Sequence, residues 1–167
     1  NEETVDDYIV YNTDPNCNQT INIPDSNFKN KLVTATASAG STAANLQNVS
    51  CIIDTNNDGE IQVCEAEKIS YLKLDSSNIV NLSGIEYFRN LKFLSFNYND
   101  VSNGLNLAML KNLTYLYCID NNITNLNIDN LKHLKEVWCS SNSLSYLNLE
   151  NLLSLETLYC SSNNITE

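Results

Sequence analysis

The sequence predicts a solenoid of short stacked repeats, closed at its start by a small helical cap. Three observations carry that prediction. A phrase recurs from residue 69 onward, as ISYLKLDSSNI, LKFLSFNYNDV, LTYLYCIDNNI, LKEVWCSSNSL and LETLYCSSNNI, at a spacing of roughly 21 to 22 residues. Each copy holds apolar residues at three inward positions with Asn or Ser three residues after the third, so no copy buries its apolar face alone and each leans on the next. Roughly 21 residues also leave no room for a long convex helix, so the return path must be tight.

Composition bounds the rest. The 167 residues fit one elongated domain, and a hydrophobic fraction of 43% is enough for a core. A formal charge of -11 and a sequence pI near 4.3 disfavour phosphate backbones and anionic lipid surfaces, so neither nucleic acid nor membrane insertion is expected in this segment. No apolar run approaches the roughly 18 residues that span a bilayer. The first residues are acidic where a signal peptide is basic and apolar, so a mature or trimmed chain is expected. The final Ile165-Thr166-Glu167 falls half-way through a repeat, and a longer parent with its own end cap is expected beyond it.

In chain order, residues 1–20 read as an extended arm, within which YIVY at 8–11 is a candidate edge strand. Residues 21–68 read as the cap. There Pro24-Asp25-Ser26 precedes Phe28, Leu32 and Ala35, an i, i+4, i+7 stripe that predicts a short amphipathic helix with Asp25 or Ser26 as its N-cap. The small, polar stretch TASAGSTAANLQN reads as a loop before Val49, Cys51, Ile52 and Ile53. Residues 69–167 read as about four and a half repeats. In each, an x-L-x-L-x segment such as that around Leu72 and Leu74 alternates like a strand, and successive strands should pair in parallel. Ser77, Asn99, Asn121, Asn142 and Asn163 fall where the chain leaves the strand, where side-chain amides bond turn backbone. The return segments supply Leu126, Ile128 and Leu131, then Leu147, Leu149 and Leu152, as further inward residues.

The six cysteines divide by position. Cys118, Cys139 and Cys160 occupy the inward slot of Leu74 and Phe96, so they read as small buried hydrophobes. Strands about 4.8 Å apart hold them too far apart to bridge at the Cβ spacing of about 3.8 Å a disulfide needs. Of Cys17, Cys51 and Cys64, the last two bracket one loop that a disulfide would staple, while pairing of Cys17 with either stays open; a disulfide would suit an oxidising exterior.

Two constellations carry chemistry. Asp54-Thr55-Asn56-Asn57-Asp58-Gly59-Glu60-Ile61-Gln62-Val63-Cys64-Glu65 fits the spacing of an EF-hand-like loop, with Gly59 for the sharp turn and Ile61 as the apolar tie to the core. The implied ion is calcium, held by the side chains of Asp54, Asn56 and Asp58, the carbonyl of Glu60, Gln62 directly or through water, and Glu65 as a bidentate ligand. A single structural site bracing the cap is expected. The second constellation is the outward face of the strands, where Tyr71, Phe93 and Tyr115 form one column and Tyr117, Trp138 and Tyr159 the next. Contiguous solvent-facing aromatics suit a protein or glycan partner; the competing reading is cross-strand stacking that only stabilises the ladder. Catalysis is not expected. The one histidine, His133, sits in a return turn, and no nucleophile and base pair up.

On these motifs, residues 69–167 resemble bacterial leucine-rich repeats of the internalin-like and short 21-residue kinds, matching L-x-x-L-x-C/L-x-x-N-x-I/L in consecutive copies. IPDSNFKNKL and DTNNDGEIQVCEA resemble the N-terminal caps of leucine-rich surface or secreted proteins of Bacteroidetes-type bacteria. Val101-Ser102-Asn103-Gly104-Leu105 departs from the pattern by one extra residue, which predicts a local bulge. The resemblance implies a leucine-rich repeat solenoid, secreted or at the cell surface, that binds a partner through its concave sheet. The alternative is a spacer or stalk of a larger surface protein with no ligand of its own.

Overall fold

The computed structural model describes residues 17–166 apart from Ala39 and Asn103, so the YIVY segment lies outside the described residues. The cap contains helix α1 (Ser26–Val33), strand β1 (Ala43–Asn45) and the one-turn helix α2 (Val63–Ala66). The repeats follow as strands β2 (Ile69–Lys73), β3 (Phe93–Ser95), β5 (Tyr115–Tyr117), β7 (Glu136–Trp138) and β8 (Thr157–Tyr159). A second, two-stranded sheet of β4 (Leu105–Asn106) and β6 (Leu126–Asn127) and a 3-10 turn at Ile85–Tyr87 lie on the return paths. The main sheet has the order β1-β2-β3-β5-β7-β8, and from β2 onward every pair is parallel and in register, so Tyr71, Phe93, Tyr115, Glu136 and Thr157 share one column.

Alternation explains the strands. Leu72, Leu94, Leu116 and Val137 are fully buried, as are Leu74, Phe96, Cys118 and Cys139 two residues on, while the residues between them face outward. The buried thiols pack as expected of small hydrophobes. Burial first, then the neighbouring Cys139, pushes the Cys118 thiol well above its usual range, and burial first, then Cys160, pushes Cys139 up to about 12. Both stay protonated and apolar at neutral pH.

Each strand ends in the same way. Ser76, Tyr98, Asp120, Ser141 and Ser162 take left-handed φ values between 49° and 57°, turning the chain sharply off the sheet. In the four later copies the Asn that follows reaches back to the previous repeat, while Ser77 in the first donates to the Asp75 carbonyl. Asn121 Nδ2 donates to the carbonyls of Phe96, Cys118 and Ile119, and its Oδ1 accepts from Val101 N–H. Asn99, Asn142 and Asn163 repeat this arrangement with Leu74, Cys118 and Cys139, and with the N–H groups of Ile79, Ile123 and Leu144. The role expected within one turn is thus also a bond between repeats, because the carbonyl left bare at the strand end lies next to the following Asn.

On the return side, Asn106, Asn127 and Asn148 accept at Oδ1 from the N–H two residues on, fixing a second column of turns. Leu126, Ile128, Leu131 and Leu152 are buried as expected. Leu149 is not: no described turn stacks on the last repeat, and Leu149 stays 41% exposed with Leu147 only partly covered. The 22-residue step from Phe93 to Tyr115 shortens to 21 from Leu105 to Leu126, so the extra residue lies between Asn99 and Leu105, outside the main sheet.

The cap corrects one expectation. The stretch read wholly as a loop contains β1, which pairs antiparallel with β2 at Ala43–Leu72 and Ala44–Tyr71. Without it β2 would present an open row of backbone donors and acceptors. Of the open cysteine pairings, Cys17 bridges Cys64 with Cα atoms 4.8 Å apart, and Cys51 is free. Backbone bonds from Val63 and Cys64 to Gln19 and Cys17, and from Ile21 to Ile61, lay residues 17–21 along the loop exit.

Helix α1 buries Phe28 and Leu32 and takes Asp25 as its N-cap. Asp25 also clasps the first repeat. One carboxylate oxygen accepts from Asn27 and Phe28 N–H, the other from Val80 and Asn81 N–H at 2.7 and 3.0 Å. Gly84 has φ +103°, and a Cβ there would meet Ile23 at 2.9 Å, so glycine lets the first return turn approach cap residues 21–23 closely.

Two outcomes follow. Asn121→Ala should lower unfolding stability by about 2 to 4 kcal/mol in urea titration, because it strands buried carbonyls and one N–H, whereas exposed Asn122→Ala should stay within about 0.5 kcal/mol. Burial would push the Asp25 carboxyl up, but four backbone N–H donors outweigh it and hold its pKa below the usual value. A depressed folded pKa contributes stability above the unfolded value, lost as pH falls through the folded one. Stability measured from neutral pH down through the carboxylate range should therefore fall less steeply in Asp25→Ala than in the parent.

Candidate functional site

The parallel register brings the six aromatics onto one concave surface. Tyr71 and Phe93 stack at 4.3 Å with planes 8° apart, and Tyr117 and Trp138 at 4.7 Å and 28°. The columns expected from the sequence are joined into one strip: Phe93 meets Tyr117 edge to face at 5.2 Å, and Trp138 meets Tyr159 in the same way at 5.3 Å. Tyr115 leans on Phe93 at 6.5 Å and 45°. The reason is electrostatic, since aromatic pairs prefer offset and perpendicular arrangements to a uniform face-to-face stack. Tyr71 with Phe93 and Tyr117 with Trp138 therefore cover one face of each other, whereas Tyr115 and Tyr159 are in no stacked pair. Tyr159 is the most open at 55% exposed.

Polar groups lock the strip. Tyr117 Oη donates to Glu136 at 2.9 Å, and burial first, then this carboxylate, pushes the phenol up to about 12, so it remains a neutral donor at all physiological pH. Glu136 was not foreseen as a site residue, although its place in the column of Tyr71, Phe93 and Tyr115 marks it as outward-facing. Asp75 accepts from Ser95 Oγ and Asn97 N–H, and Asn97 Oδ1 accepts from Ile119 N–H, so the third column is committed to bracing the sheet. The indole N–H of Trp138 is buried without a conventional acceptor.

The cap loop gathers the other residues singled out in the sequence. Asp54 accepts from Asp58 and Gly59 N–H, and Asn56, Asp58 and Gln62 bond one another through their side chains. Left-handed Asn57 (φ 58°) and Gly59 (φ 77°) make the sharp turn. Ile61 is fully buried, anchoring the loop as its position implies. The Glu60 side chain pairs with Lys29 Nζ at 2.5 Å, leaving its backbone carbonyl as its contribution to the loop. Glu65 is buried and satisfied by protein: Thr55 N–H and Oγ1 donate to one oxygen and Gln62 N–H to the other. Thr55 thereby orients Glu65, a role the spacing alone does not reveal. The donor set is all oxygen and suits a hard cation. Among the described residues, no three carboxylate, imidazole or thiol groups converge as a ready-made metal cage. His133 is exposed in its turn.

No protein-family model matches the chain. No curated protein matches it. Among solved structures, the functional domain of InlJ from Listeria monocytogenes, described as including a cysteine ladder, is similar over 84% of this chain at 26% identity and a TM-score of 0.66. An internalin, inlF, from Listeria monocytogenes is similar over 91% at 20% identity and a TM-score of 0.60. This chain spans 27% and 47% of those two chains. No helix among the described residues is long and apolar enough to cross a membrane. In fold, the chain is an internalin-like leucine-rich repeat solenoid of parallel strands with a small N-terminal cap.

Proposed function

We propose that this chain is a non-catalytic binding module of a secreted or cell-surface bacterial protein, recognising a protein partner through Tyr71, Phe93, Tyr115, Tyr117, Trp138 and Tyr159. The observation that carries this reading is the continuous aromatic strip on the concave sheet. Aromatic edges and Tyr hydroxyls pack against protein side chains; sugars stack on open ring faces, and here the Tyr71–Phe93 and Tyr117–Trp138 stacks take up one face of each of four rings. A glycan partner is therefore the weaker version. Similarity at 26% identity to the functional domain of InlJ supports this reading.

The self-stacking of Tyr71 on Phe93 also favours a second reading, a spacer whose rings only stabilise the ladder. Tyr159→Ala separates the two. Half-exposed Tyr159 contributes little to folding, so its loss should leave stability within about 1 kcal/mol and, for a binding module, weaken capture on arrayed extracellular proteins by about tenfold or more. A chain that captures nothing on protein or glycan arrays, and in which Trp138→Ala lowers only the melting temperature, is a spacer.

A calcium ion as a brace of the cap belongs to the same reading. Asp54, Asn56, Asp58, Gln62 and Glu65 with the Glu60 carbonyl would hold it, and it would neutralise carboxylates crowded into one loop next to β2. Calcium at 100 times its dissociation constant should raise the melting temperature of chelator-treated protein by about 5 to 10 °C. Asp58→Ala and Asn56→Ala should abolish the rise. They test the metal more cleanly than Glu65→Ala, since Glu65 also holds Thr55 and Gln62. No rise at millimolar calcium in the parent would leave the loop as a hydrogen-bonded turn.

A further inference from the structure

We infer that the edge of the concave sheet where the strands begin is a docking rail for an acidic segment of a protein partner. This rests on the concave face being the interface. The chain carries -11 overall, yet six of its nine basic residues, Lys68, Arg89, Lys92, Lys111, Lys132 and Lys135, fall in the turns that enter β2, β3, β5 and β7. All six are exposed. In-register stacking repeats that turn once per strand, about 4.8 Å per step, so the cations line one edge of the aromatic strip. The opposite edge carries the exposed Asp100 and Asp120, while Asp75 there is taken up by Ser95, Asn97 and Lys73, the last at 3.8 Å.

The rail is largely uncommitted. Arg89 reaches Glu67 at 3.8 Å and Lys135 reaches Glu156 at 3.3 Å, but among the described residues Lys92, Lys111 and Lys132 form no ion pair. Asn90 and Asn112 brace the same turns by donating to the carbonyls of Glu67 and Arg89, so the backbone carrying the cations is held in place. Aromatic edges at the centre with cations on one side and carboxylates on the other match a partner with an apolar centre and a carboxylate row along one flank. Such polarity sets orientation and rate of encounter, and it rejects a partner docked the other way round.

Trp138, the only tryptophan, sits in the strip and reports occupancy by its fluorescence. The probe is a random glutamate–tyrosine copolymer, an acidic polypeptide with aromatic groups, compared with dextran sulfate as a polyanion without them. The copolymer should shift Trp138 emission, and its affinity should fall as salt rises from about 50 to about 300 mM. Lys92→Glu and Lys111→Glu should each weaken it about fivefold to tenfold, while Lys31→Glu, the same change of charge on α1, should alter it less than about twofold. Equal effects of all three substitutions, absence of any copolymer binding, or equal affinity for dextran sulfate overturns the rail. Tyr159→Ala keeps the two readings apart: if it weakens the copolymer and the lysine variants do not, the concave face stands and the rail falls, and the reverse result removes the concave face.

Discussion

Every turn of this molecule depends on how the backbone is satisfied where a strand ends. The chain leaves the sheet through a left-handed residue, and that sharp exit buries a carbonyl which no strand neighbour can reach. Asn is the side chain that solves this, since its amide donates to that carbonyl and to the one a repeat earlier while its oxygen accepts from a buried N–H. Serine at position 77 suffices in the first copy because the repeat before it is replaced by the cap. Leucine packing then follows from this register, since the strands whose exits are bonded together have their inward residues stacked in line.

The cap answers the matching problem at the first strand. β1 covers the backbone edge of β2, Asp25 bonds the head of α1 and the first return turn at once, and Gly84 allows residues 21–23 a close approach. The disulfide and the strand-like pairing of residues 17–21 with the loop exit make the acidic loop part of this joint. An ion in that loop would stiffen the place where irregular structure meets the repeating ladder, which is a mechanical role distinct from a sensor's.

Much of this was legible in the sequence because it repeats. Leu74, Phe96 and Cys118 announced one inward slot, Asn99, Asn121 and Asn142 one turn, and Asp25 before Phe28 and Leu32 a capped helix. What escaped were features made only by the fold. Ala43-Ala44-Asn45 has no strand signature, and it is a strand because β2 needs a partner. Cys17 and Cys51 are both open partners for Cys64 in the sequence, and only the chain path brings Cys17 to it. For the concave face, alternation identified the outward aromatics but not which ring faces remain open, since ring orientation depends on neighbours about 20 residues away. Glu136 and Thr55 were missed for a related reason: each acts through a bond to a residue distant in sequence.

The residue added between Asn99 and Leu105 shows how such a molecule tolerates change. Lengthening a repeat there moves no strand out of register, because both the main sheet and the Asn column resume unshifted on either side. Insertions and deletions are thus absorbed on the convex side, and the concave columns remain a fixed grid on which single substitutions can be tried one position at a time. The outward face can diverge without renegotiating the fold, and whole repeats can be duplicated or lost as units whose bonds extend only to the next turn.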